Sequence, residues 1–405
     1  MRKIAIIGST FSGNKGAASM LEASIQTITA KDPKTTFSVF TVYPEDDRRF
    51  NNYKKVELLS AKPLFLGLVL NPLALLYKIL PPLRPLLRRQ KHIRALAEAD
   101  VLLDEGGITF VDGRAKFLIY NVATILPGIF TNTRVIKCSQ AMGPFNTWIN
   151  KFTAKLLLPH VDTICARGAQ TYKHLKELGL KNVIESTDYA FLMETSKEEA
   201  KHAEQIIKQN GFNFDLKHKT AVVMPSEVIR KKTEKSGEDY IGYNRDFIKY
   251  LLERDYKVLL MAYSARKGRD SRHNNDLPVC RDISKGIDNK NFTFIDDELS
   301  AQQLRHIIGK ADIAVTSRFH AMIAALSMRT PPLVLGWSHK YAEIMDMFGL
   351  KESALDSKNL DQKALHAAFE NVSKDQQKIS TAIKKHLPAV KKSASRQVET
   401  IVSKS

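Results

Sequence analysis

Cysteine is scarce in this chain of 405 residues, and the three present, Cys138, Cys165 and Cys280, are odd in number and far apart. That excludes a disulfide framework and a Cys-x-x-Cys metal site, and it points to a reducing compartment. Long apolar runs are missing as well. The first, Ile4–Ile7, is far too short for the core of a secretory signal and reads as a buried strand. There is no zinc-finger spacing, no RNP-type aromatic motif and no internal repeat of about 20–50 residues, which excludes the corresponding nucleic-acid readers and the solenoids. No Gly-x-Gly-x-x-Gly fingerprint of a dinucleotide site is present.

What the chain does have is a globular composition, 43% apolar and 26% charged, long enough for two or three domains. It also carries a formal charge of +19, which favours anionic partners: phosphorylated metabolites, polyanions or an acidic membrane face. Arg84, Arg88, Arg89, Lys91 and Arg94 make one local cluster, and Lys384, Lys385, Lys391, Lys392 and Arg396 another. As solvated helix faces these need no partner, and no nucleic acid is expected.

Short apolar runs alternate with amphipathic stretches. The runs predict strands at Lys3–Ser9, Phe37–Tyr43, Val101–Asp104, Arg134–Ser139, Thr163–Ala166 and Val183–Ser186, with helices between most of them, such as Gly16–Thr29 and Ala169–Leu178. Their Val- and Ile-rich, non-alternating character indicates strands buried on both faces, hence parallel sheets. After Tyr189–Ser196 the series restarts. A capping-box signature at Thr195 or Ser196 opens a helix to about Gln209. Thr220–Met224, Val258–Ala262, Phe292–Ile295, Ile313–Thr316 and Leu333–Gly336 then read as strands, with helices near Asn244–Arg254 and from Ser300. The expectation is an α/β protein with domains at 1–192 and 193–356, followed at 357–405 by helices broken at Pro388 and a basic tail. Ligands of such sheets bind at the carboxyl ends of strands, and the cleft between the domains is the expected place.

The segment Pro63–Leu87 is rich in leucine but interrupted by Asn71, Pro72, Lys78, Pro81 and Pro82, too broken for a membrane span of about 20 apolar residues. Two readings stand: helices that dip into an anionic lipid surface through residues 63–94, or an excursion packed in the core.

Two glycine loops close strands. Gly8–Gly16 resembles a P-loop but lacks the lysine after its second glycine, where Asn14 stands, and Lys15 is followed by no Ser or Thr. Ser12, Gly13, Asn14 and Gly16 could offer backbone N–H groups to an anion or a sugar hydroxyl. In Asp104-Glu105-Gly106-Gly107 the glycines permit close approach, and the carboxylates can accept bonds from hydroxyls. Three cationic features also lie at strand ends: Arg167; Ser317-Arg318-Phe319-His320; and Lys340 in Trp337-Ser338-His339-Lys340. Arginine suits bidentate recognition of phosphate or carboxylate, and histidine suits proton transfer near neutral pH.

Gly13–Ala17, Asp104–Gly107, Ser139-Gln140-Ala141-Met142-Gly143-Pro144-Phe145, Ala166-Arg167, Thr187–Leu192 and Ser317–Ala321 together resemble the polysaccharide pyruvyl transferase family over about Ile4–Gly349. The resemblance implies two Rossmann-like domains in the GT-B manner. It implies phosphoenolpyruvate as donor, a pair of sugar hydroxyls as acceptor, and a pyruvate ketal and phosphate as products. On that expectation Arg318, Arg167 and Lys340 hold the donor and His320 is the general acid. The acceptor, a sugar or a lipid-linked saccharide, meets the first domain near Ser12–Gly16 and Glu105–Gly107. No metal or cofactor is expected, and the location is cytoplasmic or peripheral at the inner face of the membrane. Ala17, Glu105 and Tyr189 depart from residues common in the family, which bears on the acceptor. Two other readings remain open. One is a nucleotide-sugar glycosyltransferase, against which Glu343 lacks a paired glutamate where Leu350 and Lys351 stand. The other is a non-catalytic polyanion binder.

Overall fold

The computed structural model describes residues 1–215, 217–268, 275–336, 339–356 and 362–403; Trp337 and Ser338 of the predicted Lys340 loop lie outside them. In chain order the strands are β1 (Lys3–Ile7), β2 (Gly13–Asn14), β3 (Thr36–Thr41), β4 (Val56–Ser60), β5 (Val101–Asp104), β6 (Arg134–Gln140), β7 (Thr163–Arg167), β8 (Val183–Ser186), β9 (Thr220–Met224), β10 (Lys257–Met261), β11 (Ser264–Ala265), β12 (Phe292–Ile295), β13 (Ile313–Thr316), β14 (Pro332–Gly336) and β15 (Ala354–Asp356).

Thirteen of them build two large sheets, one in each of two compact units, and β2 and β11 pair as a small third sheet. The first unit holds a seven-stranded sheet in the order β4-β3-β1-β5-β6-β7-β8, parallel throughout. The second holds a six-stranded parallel sheet, β12-β10-β9-β13-β14-β15. Strands β5, β9, β10, β13 and β14 are buried at every residue, as expected of strands covered by helices on both faces. In each sheet the order reverses at the first strand, between β1 and β5 and between β9 and β13, and such switch points open a crevice at the strands' carboxyl ends.

The predicted strands fall within one or two residues of those observed; the two-residue strands β2 and β11 are additional, and so are β4 and β15. Both are short edge strands whose extended state is set by pairing with β3 and β14 rather than by their own composition. Ser196 caps the helix Lys197–Gln209, its hydroxyl accepting from the Glu199 N–H at 3.1 Å.

Two expectations are corrected. The units do not follow the simple boundaries 1–192, 193–356 and 357–405. The first comprises 1–12, 20–193 and 391–405, and the second 13–19 and 194–390. Residues 13–19 join the second unit because β2 pairs antiparallel with β11, Asn14 opposite Ser264. Nor does the terminal helix break at Pro388: Gln376–Val402 is continuous. Ile379, Ile383, Leu387, Val390, Ala394, Val398 and Ile401 repeat at helical spacing and are all buried, which offsets the roughly 3 kcal/mol penalty of an internal proline. Arg2 then donates to the last carbonyls, Ile401 O at 3.0 Å and Val402 O at 3.1 Å.

The 63–87 segment forms short helices with two unlike faces. Leu66, Leu70, Ala74 and Tyr77 are buried in the first unit's core, while Leu64, Leu68, Leu75 and Ile79 are exposed. Among the described residues no single helix is long and apolar enough to cross a membrane; Pro63–Ile79 and Pro81–Leu87 together have the length but are bent by 118°. The two faces predict opposite mutational costs. Leu70→Ala, at a fully buried site, is expected to cost about 2–5 kcal/mol in urea unfolding, and Leu68→Ala, at a site 73% exposed, less than about 0.5 kcal/mol.

Candidate functional site

The chemistry-bearing residues of the second unit gather at the end of β13. Ser317 is buried, its hydroxyl 3.1 Å from the Tyr240 hydroxyl and its carbonyl accepting from Tyr341 at 3.2 Å. These bonds set the strand end from which Arg318 begins the helix Phe319–Met328. Arg318 donates from Nε to Asp276 Oδ2 at 2.7 Å and from Nη2 to Asp276 Oδ1, a fork-to-fork pair. Burial works against the guanidinium charge, but Asp276 more than compensates and holds its pKa above the ordinary arginine value. Asp276 also accepts from the backbone N–H groups of Glu227 at 2.9 Å and Ser264 at 3.1 Å. Sequence reading missed Asp276 because a lone aspartate carries no motif.

His320, one residue into the helix, is half-buried, and its carbonyl accepts from the Tyr263 hydroxyl at 3.0 Å. Its ring lies directly against Gly16: a Cβ there would sit 2.1 Å from Nδ1. Gly13 is equally constrained. It has φ +67°, and a Cβ would lie 2.4 Å from the Arg266 guanidinium carbon. The loop expected on the acceptor side of the first domain is therefore packed on His320 and Arg266 in the second unit, where its glycines make room for those side chains. Lys15 faces inward, its Nζ 3.0 Å from Glu298 Oε1, which also accepts from Gly13 N at 2.9 Å. Asn14 bonds its own loop, accepting from Gly16 N at 3.1 Å. The ammonium of Lys340 sits 4.7 Å from the centre of the Phe319 ring, which stands between Arg318 and His320 in sequence.

Arg167, Glu105, Gly106, Gly107 and Ser12 belong to the first unit. Arg167 is buried at the end of β7 and donates to Asp188 at 2.9 Å; Gly107 is its neighbour, a Cβ there lying 3.9 Å from Nη1. Ser12 N donates to Asp47 at 2.8 Å. The two carboxylates of the second glycine loop are turned inward. Asp104 pairs with Lys137 and accepts from Gln140, Thr124 and Gly106 N. Glu105 is buried against the Ser24 hydroxyl. Burial, partly opposed by the Ser24 and Ser9 hydroxyls, pushes Glu105 up to about 7. All three cysteines are buried, and burial pushes their thiols up, Cys165 to about 12, so none offers a ready thiolate. Among the described residues no group of three or more His, Cys, Asp and Glu side chains is placed to hold a metal ion.

Two outcomes follow. Gly16→Ala must displace the imidazole, so the ring resonances of His320 should shift in NMR spectra while those of His218, which precedes β9 at the opposite end of the sheet from the end of β13, stay in place. The raised pKa of Glu105 should be visible in stability. Below about pH 4 both folded and unfolded chains hold this proton; between about 4.5 and 7 only the folded chain does, so stability falls as pH rises and stays low above about 7. Urea unfolding at pH 5 and 8 should show a loss of order 3 kcal/mol from this group, and Glu105→Gln should remove it.

A family model described as Polysaccharide pyruvyl transferase matches residues 14–339. Among solved structures, the chain is similar to the UDP-GlcNAc 2-epimerase of Neisseria meningitidis bound to UDP-GlcNAc, with TM-score 0.64 and 13% identity over 100% of both chains. It is similar to S. aureus MnaA with UDP, with TM-score 0.59 and 12% identity over 95% of this chain and 91% of that one. It also resembles Acinetobacter baumannii MurG, with TM-score 0.51 and 10% identity over 100% of both. At such identities the likeness carries the fold alone, which is GT-B-like. The family match spans Asn14–Gly16, Asp104–Gly107, Arg167, Arg318 and His320, and this chain belongs to the polysaccharide pyruvyl transferase family.

Proposed function

We propose that the chain transfers the pyruvyl group of phosphoenolpyruvate to two hydroxyls of a sugar in a polysaccharide or its precursor, forming a ketal and releasing phosphate. The observation that carries this reading is the pairing at the end of β13: an arginine pre-oriented by Asp276 and, two residues on, a histidine seated against Gly16.

The donor bears a phosphate and a carboxylate. Arg318, with its fork fixed by Asp276, and Lys340 beside Phe319 supply positive charge for these groups. His320 delivers a proton to the methylene carbon, which becomes a methyl group and leaves positive charge at the carbon bearing the phosphate. One sugar hydroxyl adds there and gives up its proton. The bond from that carbon to the phosphate oxygen then breaks, phosphate departs, and the neighbouring hydroxyl closes the ketal. One hydroxyl proton returns His320 to its starting state and the other leaves with the phosphate. A cation held in place before reaction stabilises the departing phosphate without reorganisation.

Arg318→Ala and His320→Ala should each lower phosphate release from phosphoenolpyruvate and an acceptor sugar about a hundred- to thousandfold. His320→Ala should unfold close to the wild-type midpoint, whereas Arg318→Ala leaves Asp276 buried without its cation and should be less stable by about 3–5 kcal/mol, so its turnover and binding are measured well below its unfolding midpoint. Calorimetry separates their roles. Binding of phosphoenolpyruvate should vanish in Arg318→Ala and persist in His320→Ala. Wild-type protein that ignores phosphoenolpyruvate but binds a nucleotide sugar would overturn the proposal.

A further inference from the structure

Three helical stretches of the first unit cover the same face of its sheet. Leu66, Leu70 and Ala74 of the first, Leu118 and Ile125 of the second, and Ala154 and Leu158 of the third are buried in one core cluster. The first two are stitched together by Asn71, whose side-chain nitrogen donates to Ala123 O at 3.1 Å. Their other faces have no covering. Leu64 is 77% exposed, Leu68 73%, Ile119 81%, Trp148 76%, Phe152 62% and Leu156 56%. Trp148, Phe152 and Leu156 follow one another at four-residue spacing, so they form a stripe along one side of the helix Trp148–Leu157. Isolated exposed apolar residues need no explanation, but large ones concentrated on one helical layer do.

The charge around them is predominantly positive; Asp112, at the amino end of the helix Trp148–Leu157, is taken up by Asn146 N, the Thr147 hydroxyl and the Asn150 amide. No Asp or Glu occurs from Leu58 to Ala97 or from Gly113 to Val161. Lys78, Arg84, Arg88, Arg89, Lys151 and Lys155 lie among the exposed leucines and aromatics, and all are exposed. Two of these cations are held in place: Arg84 donates to Tyr77 O at 3.0 Å and Arg88 to the Tyr77 hydroxyl at 2.9 Å.

We propose that this face of the first unit docks on an anionic lipid bilayer, with Leu64, Leu68, Ile119, Trp148, Phe152 and Leu156 entering the headgroup–acyl boundary and the lysines and arginines meeting lipid phosphates. The 118° bend and the buried inner faces of the helices keep them on the membrane surface rather than across it. Charge selects this occupant. A second copy of the chain would press the same cations against each other, while Asp112, at the amino end of the helix Trp148–Leu157, already spends its carboxylate on Asn146, Thr147 and Asn150. A nucleic acid would use the cations but leave the exposed leucines and aromatics without a role. The proposal does not depend on which reaction the enzyme catalyses.

Flotation of the full chain tests it, with vesicles of phosphatidylcholine alone or mixed with phosphatidylglycerol. The expected result is co-flotation with the mixed vesicles and little with the neutral ones. Binding should fall at least tenfold in the variant Leu68→Gln, Trp148→Gln, Phe152→Gln, whose melting should stay near wild type because all three sites are exposed. In Trp337→Phe, which leaves Trp148 as the sole tryptophan, mixed vesicles should shift the emission to the blue. Failure of the wild type to float with mixed vesicles, or equal flotation of the triple variant, overturns the proposal. A lipid-free dimer in light scattering that the same variant dissociates also overturns it and assigns the face to a second copy.

Discussion

One buried carboxylate organises the candidate site. Asp276 receives both arms of Arg318 and the backbone N–H groups of Glu227 and Ser264, and its own N–H donates back to Ser264 O at 2.6 Å. Those partners come from the segments after β9, β10 and β13. A buried charge is costly unless its lone pairs are filled, and here they are filled by one cation and two amides. The same arrangement that makes the aspartate tolerable fixes the direction of the guanidinium. Removing the carboxylate would leave three chain segments and a buried arginine without their common partner.

The first unit repeats the device with other residues. Asp104, at the end of β5, holds Lys137, Gln140, Thr124 and the Gly106 amide, while Asp188 holds Arg167. In both units the polar residues at the carboxyl ends of the strands spend much of their bonding capacity on one another. That preorganises the loops. It also changes how the glycine loops are read: Gly13 and Gly16 give side chains space, and Asp104 and Glu105 brace a turn from within.

Fold and chemistry part company here. The GT-B-like arrangement is shared with epimerases and glycosyltransferases at 10–13% identity, whereas the family match covers residues 14–339 and with them Arg167, Arg318 and His320 at strand ends. A parallel sheet provides the crevice, and the side chains at its rim decide what is done there.

Much was legible from the chain alone. Val101–Asp104, Thr220–Met224 and Ile313–Thr316 are runs of apolar residues whose only stable home is a sheet covered on both sides, so their extent could be read directly. Arg318 and His320 stood out because they follow such a strand at once. The remainder needed the tertiary structure, since it depends on residues distant in sequence. Asp276 acquires meaning only through Arg318, 42 positions later. Gly16 matters because His320 occupies the place of its missing side chain, and β2 exists only because β11 lies beside it. Pro388 stays helical because seven buried side chains along Gln376–Val402 outweigh one lost hydrogen bond. Whether Leu66 or Leu68 enters the core was equally invisible to composition, because both are leucines on one short helical stretch and only the partners of each face distinguish them.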